Sequence, residues 1–211
     1  MLRITEIFFS LQGEARYSGM PTVFIRLTGC PMRCRYCDSA YAFHGGEKRT
    51  LDDIVSDVQQ YQVKHITVTG GEPLAQPECL TLLTVLCDLG YVVSIETGNA
   101  MSIANVDPRV HVVLDIKTPE SGEEPNNQYD NLALIQAKDQ LKFVICSQAD
   151  FEWSRDFVLK HGLLEKVEVL FSPSANDVKP VDLAEWILAD QLSVRFQTQL
   201  HKQLWGDIPG V

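Results

Sequence analysis

No apolar run in the 211 residues approaches the roughly 20 that a membrane span needs. The opening Met1-Leu2-Arg3-Ile4-Thr5-Glu6 lacks the charged and then apolar pattern of a secretion signal. The two absences lead us to expect a cytoplasmic protein with no membrane contact. Basic residues are in the minority: 18 Lys and Arg against 28 Asp and Glu give a net charge of −10. Such a surface repels phosphate backbones, which argues against nucleic acid as a partner. A local basic site for a small anion is left open. Internal repeats, low-complexity tracts and linkers are also missing. Residues 1–211 are therefore expected to form a single domain, and the length allows a sizeable core.

What is present is alternation. Runs rich in Val, Ile and Phe at 22–27, 65–69, 91–96, 110–117, 141–146, 166–171 and 192–197 read as strands. Helical patterns at 51–61, 77–89, 150–161 and 181–189 separate them, with Leu51, Ile54, Val55 and Val58 at helical spacing in the first. Pro77 suits a first helical position and Gly90 a stop. Repeated strand–helix–strand units predict an α/β fold with a parallel sheet and right-handed crossovers. The units fall short of a complete eight-fold barrel, so a partial TIM-type β/α barrel is expected, with functional groups at the C-terminal mouth of its strands. Residues 119–131 are polar, acidic and turn-rich, and read as a mobile loop.

After the strand at 22–27 comes Thr28-Gly29-Cys30-Pro31-Met32-Arg33-Cys34-Arg35-Tyr36-Cys37-Asp38-Ser39, with the spacing Cys-x3-Cys-x2-Cys. Soft thiolate ligands suit iron–sulfur clusters and zinc. Ordinary cubane clusters take four cysteines, so three would leave one iron open to a substrate or cofactor. A structural zinc site normally has four protein ligands; His44 could supply a fourth, and zinc stays open on the cysteines alone. A disulfide would leave one cysteine odd, in a reducing compartment. Cys79, Cys87 and Cys146 fall in apparent helix or strand segments, where free cysteine packs as a small hydrophobe.

The Cys-x3-Cys-x-aromatic-Cys loop, with Tyr36 as the aromatic, resembles the signature of the radical S-adenosylmethionine superfamily. The strand 66–69 running into Gly70-Gly71-Glu72-Pro73 is similar to that superfamily's motif for the methionine amino group. The glycines would allow close backbone approach and the Glu72 carboxylate would complement the ammonium. The resemblance implies a 4Fe–4S cluster on Cys30, Cys34 and Cys37 whose open iron chelates S-adenosylmethionine. Reductive cleavage of the cofactor would then yield a 5′-deoxyadenosyl radical.

The stretch Glu6-Ile7-Phe8-Phe9-Ser10-Leu11-Gln12-Gly13-Glu14 resembles the opening of the 7-carboxy-7-deazaguanine synthase family, in queuosine and deazapurine biosynthesis. Gly19-x-Pro21, Phe24-x-Arg26-Leu27, Cys37-Asp38-Ser39, Ile95-Glu96-Thr97-Gly98 and the tail Gln199-Leu200-His201-Lys202 are similar as well. The family is a radical carbon–nitrogen lyase that contracts the ring of 6-carboxy-5,6,7,8-tetrahydropterin with loss of ammonia. Carried over, Leu11, Gln12, Gly13, Glu14, Arg26, Thr69 and Val211 are expected at the pterin, with Arg26 on its carboxylate. Tyr36, Cys37, Asp38, Gly71, Glu72, Glu96, Lys117 and Ser172 are expected at the cofactor, and Ser39 at a magnesium ion. Alone, Arg26 and Glu96 would read as salt-bridge residues and Ser39 as a loop cap. Asp115-Ile116 and Ser172 depart from the Ser-Pro and Gln seen in relatives. A flavodoxin-type electron donor and a homodimer are expected from the family. A glycyl-radical-enzyme activating protein, which shares the cysteine loop, and a zinc-stabilised binding module are the alternatives.

Overall fold

The computed structural model describes residues 1–206, 208 and 210. In chain order it has β1 (Leu2–Leu11), β2 (Pro21–Leu27), β3 (Glu47–Arg49), α1 (Leu51–Val58), β4 (His65–Gly70), α2 (Cys79–Asp88), β5 (Val92–Thr97) and β6 (His111–Ile116). Then follow α3 (Asn131–Leu134), β7 (Gln140–Ile145), α4 (Gln148–Lys160), β8 (Glu168–Pro173), α5 (Pro180–Ala189), β9 (Arg195–Phe196) and α6 (Leu200–Trp205). The strands form one open nine-stranded sheet, ordered β3-β1-β2-β4-β5-β6-β7-β8-β9. From β2 onward every pairing is parallel; β1 runs antiparallel to both β2 and β3. This is a partial barrel, as the alternating units predict. No described helix is long and apolar enough to cross a membrane.

Strand periodicity divides the sheet into two unlike faces. Outward positions such as Ile25, Val68, Ile95, Leu114, Phe143 and Phe171 are fully buried and join the core with α1, α2, α4 and α5. Inward positions carry Arg26, Thr67, Thr69, Ser94, Glu96, Asp115 and Lys142. The hydrophobic core thus lies between sheet and helices, and the barrel interior is polar.

The hairpin joining β1 to β2 plugs the N-terminal end of the barrel. Arg16 N–H donates to Gln140 Oε1 at 2.9 Å, and Tyr17 packs on His65 and His111, all at strand starts. On the open side, the segment after β9 crosses back to β1: Leu200 N–H donates to Gly13 O at 2.9 Å and Ala15 N–H to Gln197 Oε1 at 2.8 Å.

Several expectations are corrected. The opening stretch is a ten-residue strand that its mixed pattern did not announce, because a register shift between Ile4 and Glu6 breaks the alternation. Pro77 lies in the turn before α2, which starts at Cys79. The last strand shrinks to Arg195–Phe196. Residues 119–131 are pinned rather than loose. Ser121 and Asn131 are buried, and Asn127 brackets Lys117 by accepting from its N–H and donating to its C=O, both at 2.9 Å. Polar composition signalled a loop but could not show that Ser121, Glu123, Asn127 and Asn131 are buried with hydrogen-bond partners. Gly90, with φ +85°, ends α2 as expected.

β2 and β4 approach closely at their ends. A Cβ on Gly70 would lie 2.5 Å from the Leu27 carbonyl oxygen, which is backbone and cannot yield. Gly70→Ala is expected to lower stability by about 1–3 kcal/mol, read as a fall in the urea midpoint at unchanged m-value.

Candidate active site

A cavity of about 560 Å³ opens over the C-terminal ends of the parallel strands. Its floor is set by the hairpin plug, which turns Gln12 and Glu14 into the barrel. The Gln12 amide is fully engaged: it donates to Thr67 Oγ1 at 3.0 Å and to Glu96 Oε1 at 3.2 Å, and accepts from Glu14 N–H at 3.1 Å. Glu14 accepts from Lys142 Nζ at 2.7 Å and from Gln199 Nε2 at 2.8 Å. Burial opposes ionisation of Glu14, but the charge and hydrogen bond of Lys142 hold its carboxyl below the ordinary value. Glu96 lies beside it without a lysine of its own. Burial first, and then the Glu14 charge, push its carboxyl up. The floor therefore pairs two buried carboxyls whose pKa values are driven in opposite directions.

A line of alternating charge climbs from this floor. Asp115 Oδ2 stands 3.6 Å from Lys142 Nζ and 3.1 Å from Lys117 Nζ. Burial disfavours charge on Lys117, but Asp115, Tyr36 and Cys34 outweigh it and raise the ammonium well above its ordinary value. Lys117 also lies 5.6 Å from the centre of the Tyr36 ring. A fixed cation thus faces the cysteine loop.

On that loop Cys30, Cys34 and Cys37 are half-buried, unoxidised and on the cavity wall. Burial raises all three thiols, Cys34 to about 11. A half-buried thiolate here needs a cationic partner. Among the described residues no three His, Cys, Asp or Glu side chains gather around one point as a single-ion site requires. Three soft thiols on one short loop are a donor set of the kind that iron–sulfur clusters use. Three further polar atoms, the Tyr36 hydroxyl, Asp115 Oδ1 and Ser172 Oγ, are buried without a partner and belong to residues lining the cavity. Unsatisfied buried groups are rare in proteins, and together they fit a polar molecule held beside the cluster.

The opposite wall comes from β1 and β2. The register shift places Glu6 opposite Arg26, and Arg26 Nε donates to Glu6 Oε1 at 2.7 Å. The guanidinium lies 5.8 Å from the Phe8 ring centre and 5.7 Å from that of Tyr41. Phe8 stacks on Phe24 at 4.9 Å, a flat apolar shelf beneath the cation. The Ser39 hydroxyl donates to Asp38 Oδ1 at 2.9 Å, leaving its lone pairs available as hard oxygen donors.

The fold brings most of the expected residues to this one cavity: Leu11, Gln12, Gly13, Glu14, Arg26, the three cysteines, Tyr36, Asp38, Ser39, Thr69, Gly71, Glu96, Lys117 and Ser172 all line it. Glu72 does not. Its side chain is fully buried, accepting from Leu74 N–H at 3.0 Å, Thr97 Oγ1 at 2.9 Å and Gly98 N–H at 2.8 Å. The carboxylate ties β4 to β5 and is not free to meet an ammonium. The neighbouring glycines are also required by packing, since a Cβ on Gly71 would stand 2.3 Å from Gly29 O. Val211 lies outside the described residues.

Sequence reading passed over Lys142 and Tyr41, and it named Asp115 and Gln199 only as a departure from and a match to relatives, without a role. Lys142 and Asp115 carried a usable signal: each is a charge inside an apolar strand, where a charge needs a partner. Tyr41 carried none, and the family-like tail that contains Gln199 did not say what its side chain meets, because only the tertiary structure brings them to the cavity.

Residues 24–120 match the family model described as the radical SAM superfamily. The chain is 43% identical to the 7-carboxy-7-deazaguanine synthase of Chlorobaculum tepidum, over 100% of this chain and 97% of that one. It is 42% identical to the Koribacter versatilis enzyme of the same name, over 97% of each. The Thermoplasma acidophilum enzyme of that name is 36% identical over 99% of each. Among solved structures, QueE from Escherichia coli superposes with a TM-score of 0.78 at 23% identity, covering 95% of this chain and 94% of that one. Streptococcus suis SuiB bound to S-adenosylmethionine superposes with a TM-score of 0.59 at 19% identity, covering 81% and 48%. At these identities the superpositions show a shared fold.

Lys142→Met leaves Glu14 buried without its cation and is expected to cost about 3–5 kcal/mol at neutral pH. Because the folded-state carboxyl of Glu14 is depressed, the stability it contributes is present above the ordinary carboxylate range and lost as pH falls through its folded value. The gap between wild type and variant should therefore narrow in urea titrations run at progressively lower pH.

Proposed function

Since the chain belongs to the 7-carboxy-7-deazaguanine synthase family of the radical SAM superfamily, we propose that it contracts 6-carboxy-5,6,7,8-tetrahydropterin to 7-carboxy-7-deazaguanine with loss of ammonia. The observation that carries this reading is one cavity holding three thiols on one wall, the Arg26 guanidinium on another and a carboxylate–lysine floor between them. An activating protein for glycyl-radical enzymes would share the thiols but has no use for the Glu14, Glu96 and Arg26 constellation.

Cys30, Cys34 and Cys37 would hold a 4Fe–4S cluster, with S-adenosylmethionine on its open iron near Tyr36, Asp38, Gly71, Lys117 and Ser172. When bound there, the pair supplies one-electron reduction and hydrogen-atom abstraction. The chain's own residues bind and orient. Arg26, steered by Glu6 at Nε, presents its terminal nitrogens for a two-pronged grip on the substrate carboxylate. Phe8 and Phe24 offer the ring a flat face. Glu14, ionised beside Lys142, accepts from pterin N–H groups, since a carboxylate has acceptors only. Glu96, which accepts from Gln12 Nε2 and Thr69 Oγ1 at 3.2 Å each, stands beside Glu14 as a further acceptor at the floor, and the cofactor contact expected of it is kept as a candidate. Thr69 bridges the two halves of the site through its 3.2 Å bond to Glu96. Ser39, with the substrate, would ligate magnesium.

Glu72 enters this reading as the residue that fixes the β4 and β5 ends rather than as a ligand. Val211 is kept as a candidate substrate contact on the strength of family resemblance alone. One domain, a homodimer, a flavodoxin-type electron donor and a cytoplasmic setting complete the proposal.

The test is anaerobic reconstitution followed by turnover with reductant, S-adenosylmethionine and the carboxylated pterin. Product without net cofactor consumption is the expected result; cofactor cleavage with no pterin turnover would leave the superfamily standing and remove the substrate. Cys34→Ala should abolish both the visible cluster absorption and turnover. Arg26→Gln should load its cluster normally yet raise KM roughly tenfold or more, the loss of a hydrogen bond to a charged group of about 1.5–3 kcal/mol. An unchanged KM would remove Arg26 from the carboxylate.

A further inference from the structure

The cysteine loop has little regular structure of its own. Cys37 N–H closes a turn on Cys34 O at 3.2 Å, but the middle of the loop is held from outside, by the segment expected to be mobile. Arg33 N–H donates to Glu123 Oε1 at 2.6 Å, and Arg35 N–H donates to Ser121 O at 2.9 Å. Glu123 is 9% exposed, and its other oxygen accepts from the Asn126 amide. Its backbone is anchored in turn, since Glu123 N–H donates to Ser121 Oγ at 3.0 Å and that hydroxyl donates to Thr118 O at 2.6 Å. A rigid acceptor therefore meets the Arg33 peptide N–H, between Cys30 and Cys34.

We propose that Glu123 is a positioning residue for the cysteine loop: by accepting the Arg33 N–H it fixes the spacing between Cys30 and Cys34 that cluster ligation requires. This rests on the cluster reading given above. A negative charge at this place works against a thiolate on nearby Cys34, so the contribution of Glu123 is geometric. The Arg33 side chain supports the same geometry, donating to the carbonyls of Cys30 at 2.8 Å and Met32 at 2.6 Å. Partners that orient metal ligands in this way typically change metal affinity by roughly 10- to 100-fold when removed. A neutral amide can accept the same bond, whereas a side chain one carbon shorter cannot reach it.

The experiment compares Glu123→Ala, Glu123→Asp and Glu123→Gln after anaerobic reconstitution. Iron retention against a competing chelator is measured, with the EPR spectrum of the reduced cluster before and after adding S-adenosylmethionine. Roughly 10- to 100-fold weaker iron retention is expected for Ala and Asp, with a cofactor-induced spectral change that is broadened or absent. Gln should restore both. Melting of the iron-free proteins shows whether each variant folds, and the Asp variant carries the test if Ala does not. Wild-type retention and spectra in both Ala and Asp would overturn the proposal, as would a Gln variant no better than they are. A wild-type chain that takes up no iron would overturn the cluster reading itself, an outcome distinct from either.

Discussion

Charges inside a barrel must be paired, and that requirement organises this molecule. Glu14, Lys142, Asp115 and Lys117 form a continuous line of alternating sign from the hairpin plug to the cysteine loop. In an interior where desolvation disfavours charge, the neighbours of Glu14, Lys142 and Lys117 outweigh burial and favour their charged forms. The consequence is a polar cavity whose charges occupy fixed places before any ligand arrives. Fixed dipoles and charges of this kind are what a radical enzyme can contribute, because the bond-breaking chemistry belongs to the cofactor.

The two walls are built by different means. On the β1–β2 side, a register shift turns Glu6 and Phe8 inward, so an antiparallel pair joined to a parallel barrel supplies a steered guanidinium above stacked rings. On the opposite side, irregular chain is held by irregular chain: Asn127 brackets the Lys117 peptide while Ser121 and Glu123 take the N–H groups of the cysteine loop. Side chains that elsewhere make turns here satisfy backbone groups that no strand or helix can reach. The plug at the far end of the barrel closes it to solvent and delivers Gln12 and Glu14 from below.

Family relationship and geometry bear on different questions. Identity of 43% over the whole chain places the protein among the deazaguanine synthases. The geometry separates residues that face the cavity from those that hold it in shape. Gly71 and Glu72 belong to one motif, yet only the first lines the cavity. The second is buried between two strand ends, where its carboxylate ties three donors together.

The sequence alone determined the alternating α/β architecture and the triple-thiol loop. Those features are written locally, in periodicity and spacing. Tertiary structure decided the rest. A register shift hid β1 because one extra residue inverts the alternation that would reveal it. The acidic segment after β6 reads as loose until its buried partners are seen. Lys142, Gln199 and Glu14 meet across more than a hundred residues of chain, and no local pattern encodes a contact whose partners are brought together only when the barrel forms.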